Sequence, residues 1–130
     1  MLRSWCLAVI AAGSFSAMPV MAQEMDCPMV PTVHSLQDCV EHATEMGAID
    51  NAGVARSLLV KLHSAENALA RDSRDAYWTT INILGAFIGE VQAQAGEHID
   101  EHHAEHMVMH AQMIIATLQA SATTGASSSG

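Results

Sequence analysis

The stretch Glu97-His98-Ile99-Asp100-Glu101-His102-His103-Ala104-Glu105-His106, with His110 one turn further on, holds five of the chain's eight histidines. Imidazoles four residues apart on a helix lie about 40° out of line, near enough for neighbouring pairs to share a metal ion. His102, His106 and His110 stand in that relation, and Met109 and Met113 fall on the same stripe. Neutral imidazole suits copper(II), nickel or zinc, and thioethers beside it suit copper(I). The drift along the stripe lets adjacent pairs chelate but keeps all three rings from meeting one ion. On a helical wheel the stripe lies opposite the apolar positions of the same segment. Two expectations follow for His102, His106, His110, Met109 and Met113: a solvent-facing metal site, or a polar face that serves solubility alone.

His102-His103-Ala104-Glu105-His106 also spells H-x-x-E-H, a pattern in which two His hold zinc and the Glu activates water. A catalytic zinc needs a third protein ligand and a cleft, yet no Asp, Glu, Cys or His follows His110. There is no G-x-S-x-G elbow, and the third amphipathic segment carries no Glu-x-x-His of the di-iron kind. His34, His42 and His63 stand apart, with His42 spaced for a weak surface pair with Asp38. The expectation is a protein that is not an enzyme.

Cysteine chemistry depends on compartment. Arg3, the apolar stretch Cys6 to Val20 and the small-residue end Val20-Met21-Ala22 read as a secretory signal peptide over 1–22, cleaved before Gln23. The stretch is interrupted by Gly13, Ser14, Ser16 and Pro19. It is shorter than the roughly 20 residues a membrane span needs, so no transmembrane segment is expected after cleavage. The mature chain is then secreted or periplasmic and keeps two cysteines, Cys27 and Cys39. In an oxidising compartment these are expected to pair, a link worth roughly 3 kcal/mol in the chain-entropy model. Two free thiols or a half-built metal site are the alternatives, although the spacing fits no metal-ligand pattern.

The 130 residues suffice for one small domain; half are hydrophobic and only 4% aromatic, so the core must be aliphatic. A net charge of −9 with no Lys/Arg cluster removes the counterion-release term behind nucleic-acid binding. DNA and RNA are therefore excluded as expected partners.

Helical spacing runs almost unbroken from Thr32. Leu36, Cys39, Val40, Ala43 and Met46 mark a first helix over 35–46, stopped by Gly47. Val54, Leu58, Leu59, Leu62, Ala65 and Leu69 mark a second over 52–70, capped by Asp50 or Asn51. Tyr77, Ile81, Leu84, Ile88, Val91 and Ala95 mark a third over 76–95, stopped by Gly96, with Trp78 at its rim. Ala104, Met107, Val108, Ala111, Ile114, Ile115 and Leu118 mark a fourth over 101–119, capped by Asp100. Residues 23–34 form an extended, Pro-containing arm, and 120–130, all Ala, Ser, Thr and Gly, a flexible tail. The fold class is all-α, a compact antiparallel bundle of about four helices with a disulfide-stapled N-terminal arm and a disordered C-terminal tail.

Three runs resemble the FIMAH domain, a small helical accessory domain found in membrane-associated hydrolases of bacteria. They are Thr32-Val33-His34-Ser35-Leu36 with Asn51-Ala52-Gly53-Val54-Ala55-Arg56-Ser57-Leu58-Leu59-Val60-Lys61-Leu62, then Ile81-Asn82-Ile83-Leu84-Gly85-Ala86-Phe87-Ile88-Gly89-Glu90-Val91, then His98-Ile99-Asp100 leading to Ala111-Gln112. Together they span about 32–116, the whole folded part. The resemblance implies a non-catalytic accessory or interaction domain of the bacterial envelope or exterior, with no catalytic residue to carry over. Its partner would be a protein or cell-envelope component, and any enzyme it serves is expected on a separate chain. Three departures stand out: a longer connection around Tyr77-Trp78-Thr79, the absence of an attached hydrolase, and the His-rich last helix. The second expectation is a periplasmic or secreted protein that holds copper, nickel or zinc.

Overall fold

A computed structural model describes residues 27–128. The leader expected over 1–22, and residues 23–26 of the arm, lie outside them. Four helices follow in order: α1 Val33–Glu45, α2 Ala52–Leu69, α3 Arg74–Gln94 and α4 Glu101–Ser128. They close a ring in which α1 packs on α2 and α4, and α3 packs on the same two. The interior is aliphatic: Leu36, Val40, Leu58, Leu62, Leu84 and Val91 are fully buried, with Phe87 the largest side chain among them. Each such side chain contributes about 1.5–3 kcal/mol relative to exposure.

Helix starts are set by side-chain caps. The Thr32 hydroxyl accepts the amide of Ser35, the Asn51 carbonyl oxygen those of Gly53 and Val54, and the Ser73 hydroxyl that of Ala76. Each satisfies amides that have no partner within the helix. Thr32 and Ser73 stand upstream of the first periodic apolar residue, so α1 and α3 begin two residues earlier than expected. Asp100 caps α4 as expected, accepting the amide of His103.

The inward face of α3 is turned from the expected one. Ala76, Thr80, Leu84, Phe87 and Val91 are buried, while Ile81 and Ile88 are only partly so. This helix touches neighbours on two sides, so its apolar positions form two overlapping stripes and the wheel's average misplaces the centre. Thr80 enters the core without an open hydrogen bond because its hydroxyl donates to the carbonyl of Ala76, 2.9 Å away. Tyr77, expected in the core, is half-buried and donates its hydroxyl proton to Asp72.

Residues 120–128, expected as a tail, continue α4 to Ser128. Alanine favours helix. The hydroxyls of Ser121, Thr123 and Thr124 donate to carbonyls one turn back, and Ala122 is buried.

The turns α1–α2 and α3–α4 meet at one end of the ring. Gly47 and Gly96 reverse the chain there at φ values of 84° and 78°, open to glycine without steric cost. The Asp50 amide donates to the His98 carbonyl and the Asp100 amide to that of Ala48, at 3.0 and 2.8 Å. Ile49 and Ile99 form the antiparallel bridge between the turns and are both buried. His98 Nδ1 and Asp50 Oδ1, 2.9 Å apart, clasp the pair from outside. This paired turn fixes where α4 starts, and with it the register of every histidine that follows.

Candidate metal centre

The expected stripe on α4 does not lie on one surface. His102, Met109 and Met113 are exposed, His106 is half-buried, and His110 is fully buried. The flank of α4 away from α3 is not solvent, because α1 and the arm cover it. The sequence contains a signal for this. His110 stands three residues after Met107 and four before Ile114, and both of those are core; at that spacing it shares their face.

His110 binds the arm. Its Nε2 lies 2.6 Å from the carbonyl oxygen of Val30. A carbonyl only accepts, so Nε2 carries the proton and donates, and the neutral ring leaves a lone pair on Nδ1. Nδ1 faces Cys39 Sγ at 3.6 Å. Burial holds the His110 pKa below its ordinary value, aided by the neighbouring His106, against the opposing bond to Val30. Burial thus favours the neutral form of the ring.

His106 completes the corner. Its ring centroid is 6.3 Å from that of His110, and the two rings are nearly perpendicular. Its Nε2 is buried without a hydrogen-bond partner, a condition that costs about 1–3 kcal/mol for a polar group. Among the described residues, one group of three His, Cys, Asp or Glu side chains brings its ligand atoms within 4.8 Å of one another: Cys27, Cys39 and His106. Cys27 and Cys39 are joined as a disulfide with Cα atoms 5.6 Å apart, as expected. The arm is thus anchored at Cys27, at the Pro28 carbonyl, which accepts from the Ser35 hydroxyl at 3.0 Å, and at Val30.

A crevice of about 20 Å³ opens beside the disulfide, with His42, His102, His103 and His106 around it and Met107 at its edge. That is room for one water-sized sphere. His42, read from the sequence as isolated, belongs to this crevice. His103, also around the crevice, has its Nδ1 held 2.9 Å from the Asp100 carboxylate, and it lies outside the group of ligand atoms that includes His106. That contact keeps the Asp100 carboxyl below its ordinary value.

The H-x-x-E-H pattern does not converge. Glu105 lines a separate groove of about 520 Å³ between α3 and α4, with Glu101, Ala104, Val108 and Met109, whereas His102 and His106 line the crevice. A second arrangement that spacing did not single out lies between α2 and α3. Ser57 Oγ donates to Glu90 Oε2 at 2.9 Å, and Lys61 reaches both Ser57 and Glu90. The carboxylate pairs the ammonium and accepts the hydroxyl's hydrogen bond, so Lys61 is not placed as a base for Ser57. Comparison with family models, with curated proteins and with solved structures finds no match to this chain. No helix among the described residues is long and apolar enough to cross a membrane.

Proposed function

We propose that this chain is a non-catalytic, exported accessory domain of the FIMAH type, acting through binding at the bacterial envelope or exterior. The observation that supports the reading is the paired turn. Asn51, which opens the longest similar run, caps α2, and Ile99, from the third run, bridges to Ile49. Asn51 and Ile99, two of the residues that carry the resemblance, thus help build the bundle's closed end. The disulfide suits an oxidising compartment.

The test pairs activity with association. The mature chain, purified without a tag, is incubated with peptide, ester, phosphoester and glycoside substrates, and the exported fraction of producing cells is cross-linked. The expected results are no turnover and a defined complex with a second exported protein. Peptide cleavage lost in Glu105→Gln, or a chain that remains uncross-linked and monomeric, contradicts the reading.

A further inference from the structure

We propose that reduction of the Cys27–Cys39 disulfide turns this corner into an N2S2 site, in which both thiolates, His106 Nε2 and His110 Nδ1 hold one tetrahedral zinc ion. The site is independent of which partner the domain serves. It differs from the outward His/Met stripe in using the two buried imidazole nitrogens and both sulfurs.

Three of the four donors are already gathered, and the fourth adjoins one of them. The Cys27 and Cys39 sulfurs and a His106 ring nitrogen lie within 4.8 Å of one another, and His110 Nδ1 is 3.6 Å from Cys39 Sγ. In tetrahedral zinc sites, bonds of about 2.0–2.3 Å place the ligand atoms roughly 3.3–3.8 Å apart. The His106 nitrogen must draw in by up to about 1 Å, and His110 Nδ1, already at that spacing from Cys39 Sγ, must turn toward the other two donors, while the sulfurs must part by about 1.7 Å from disulfide length. Cys39, His106 and His110 ride on helices, and Cys27 sits on the irregular arm, so the arm takes up that movement.

Two features favour an ion over a dry corner. His106 Nε2 is buried with no hydrogen-bond partner, and coordination would satisfy it. His110 donates its other ring nitrogen to the Val30 carbonyl. That is the outer-shell contact by which metal-bound imidazoles are held in tautomer and orientation. Charge also balances: two thiolates cancel the dication and both rings are neutral, so the filled site carries no net charge into a half-buried corner.

The redox step requires a dithiol reductant. Exchange breaks the Cys27 Sγ–Cys39 Sγ bond, forms a disulfide in the reductant and passes two electrons and two protons to the cysteines. Zinc then replaces the two thiol protons, which leave to solvent. While oxidised, the sulfurs carry no thiolate lone pairs and only the imidazoles remain as donors. The corner therefore binds zinc in the reduced state and releases it on oxidation.

The test uses the mature chain, tagless, oxidised or reduced with a phosphine, titrated with Co²⁺ as a spectroscopic probe and then with Zn²⁺. The reduced chain is expected to bind one equivalent with a thiolate-to-cobalt charge-transfer band that zinc abolishes. The oxidised chain and Cys39→Ser should lack the band. His106→Ala should weaken binding by at least about tenfold with helix content unchanged, and His63→Ala, exposed on α2, should match wild type. Equal affinity in both redox states, no thiolate band, or an unaltered His106→Ala overturns the proposal. So does a reduced chain that loses its helices, by circular dichroism, and does not regain them with zinc.

Discussion

His110 and Val30 are joined by a 2.6 Å hydrogen bond that spans 80 positions of the chain. The donor lies deep in α4 and the acceptor on an arm with no regular structure. One imidazole thus ties the arm to the bundle beside the disulfide, while its second nitrogen faces sulfur.

Replacing His110 with Ala removes a fully buried ring and its tie to Val30. The loss should be about 2–4 kcal/mol by urea unfolding, the usual range for emptying a core site. Limited proteolysis should cut the arm sooner. An unchanged midpoint would show that the disulfide alone holds it.

Reduction of Cys27–Cys39 should lower stability by roughly 3 kcal/mol, leaving the four helices in place because Leu36, Leu58, Leu62, Leu84, Phe87 and Val91 still hold them together. Zinc added to the reduced chain should recover stability in proportion to its binding. Thiol labelling of the untreated, denatured chain should find neither cysteine free. The two measurements separate the staple from the site that replaces it.

Gly96 adopts φ 78°, and a Cβ built there would come within 3.2 Å of Glu101 Oε1. Gly96→Ala should cost about 1–2 kcal/mol for the left-handed backbone. Amide exchange should quicken at Asp50 and Asp100, whose amides join the two turns. Equal protection in the variant would dismiss the turn pair as the anchor of the α4 register.

Tyr77 is the chain's single tyrosine, so alkaline absorbance titration reports it alone. Its hydroxyl donates to Asp72, and that bond together with the carboxylate's charge raises its pKa above 10.0. A raised phenol pKa stabilises the folded chain below the unfolded value, and that contribution is lost as pH rises through the folded one. Asp72→Asn should bring the midpoint back toward 10.0. A midpoint at the ordinary value in the wild type would dissolve the contact.

Much of the bundle is legible in periodicity. The helix stops at Gly47 and Gly96, the Asn51 and Asp100 caps, and most of the buried positions on α1, α2 and α4 follow from spacing and turn chemistry. The face of α3 is not legible, because two neighbours compete for it and Thr80 hides its polarity in a backbone bond. On α4, spacing put His102, Met109 and Met113 on the solvent face, where they lie, but put His110 there too, and it is buried. A wheel scores each helix against a single core, and His110 is buried by a segment 80 residues away. Likewise, the distance of 12 residues between Cys27 and Cys39 carries no metal signature, since the imidazole beside Cys39 is that of His110, 71 residues further along.

X-ray absorption on the reduced, zinc-loaded mature chain tests the ligand set most directly. The account predicts two sulfur neighbours at about 2.3 Å and two imidazole nitrogens at about 2.0–2.1 Å, with one nitrogen lost in His106→Ala. A first shell made only of nitrogen and oxygen would contradict it and leave the sulfurs out of the site.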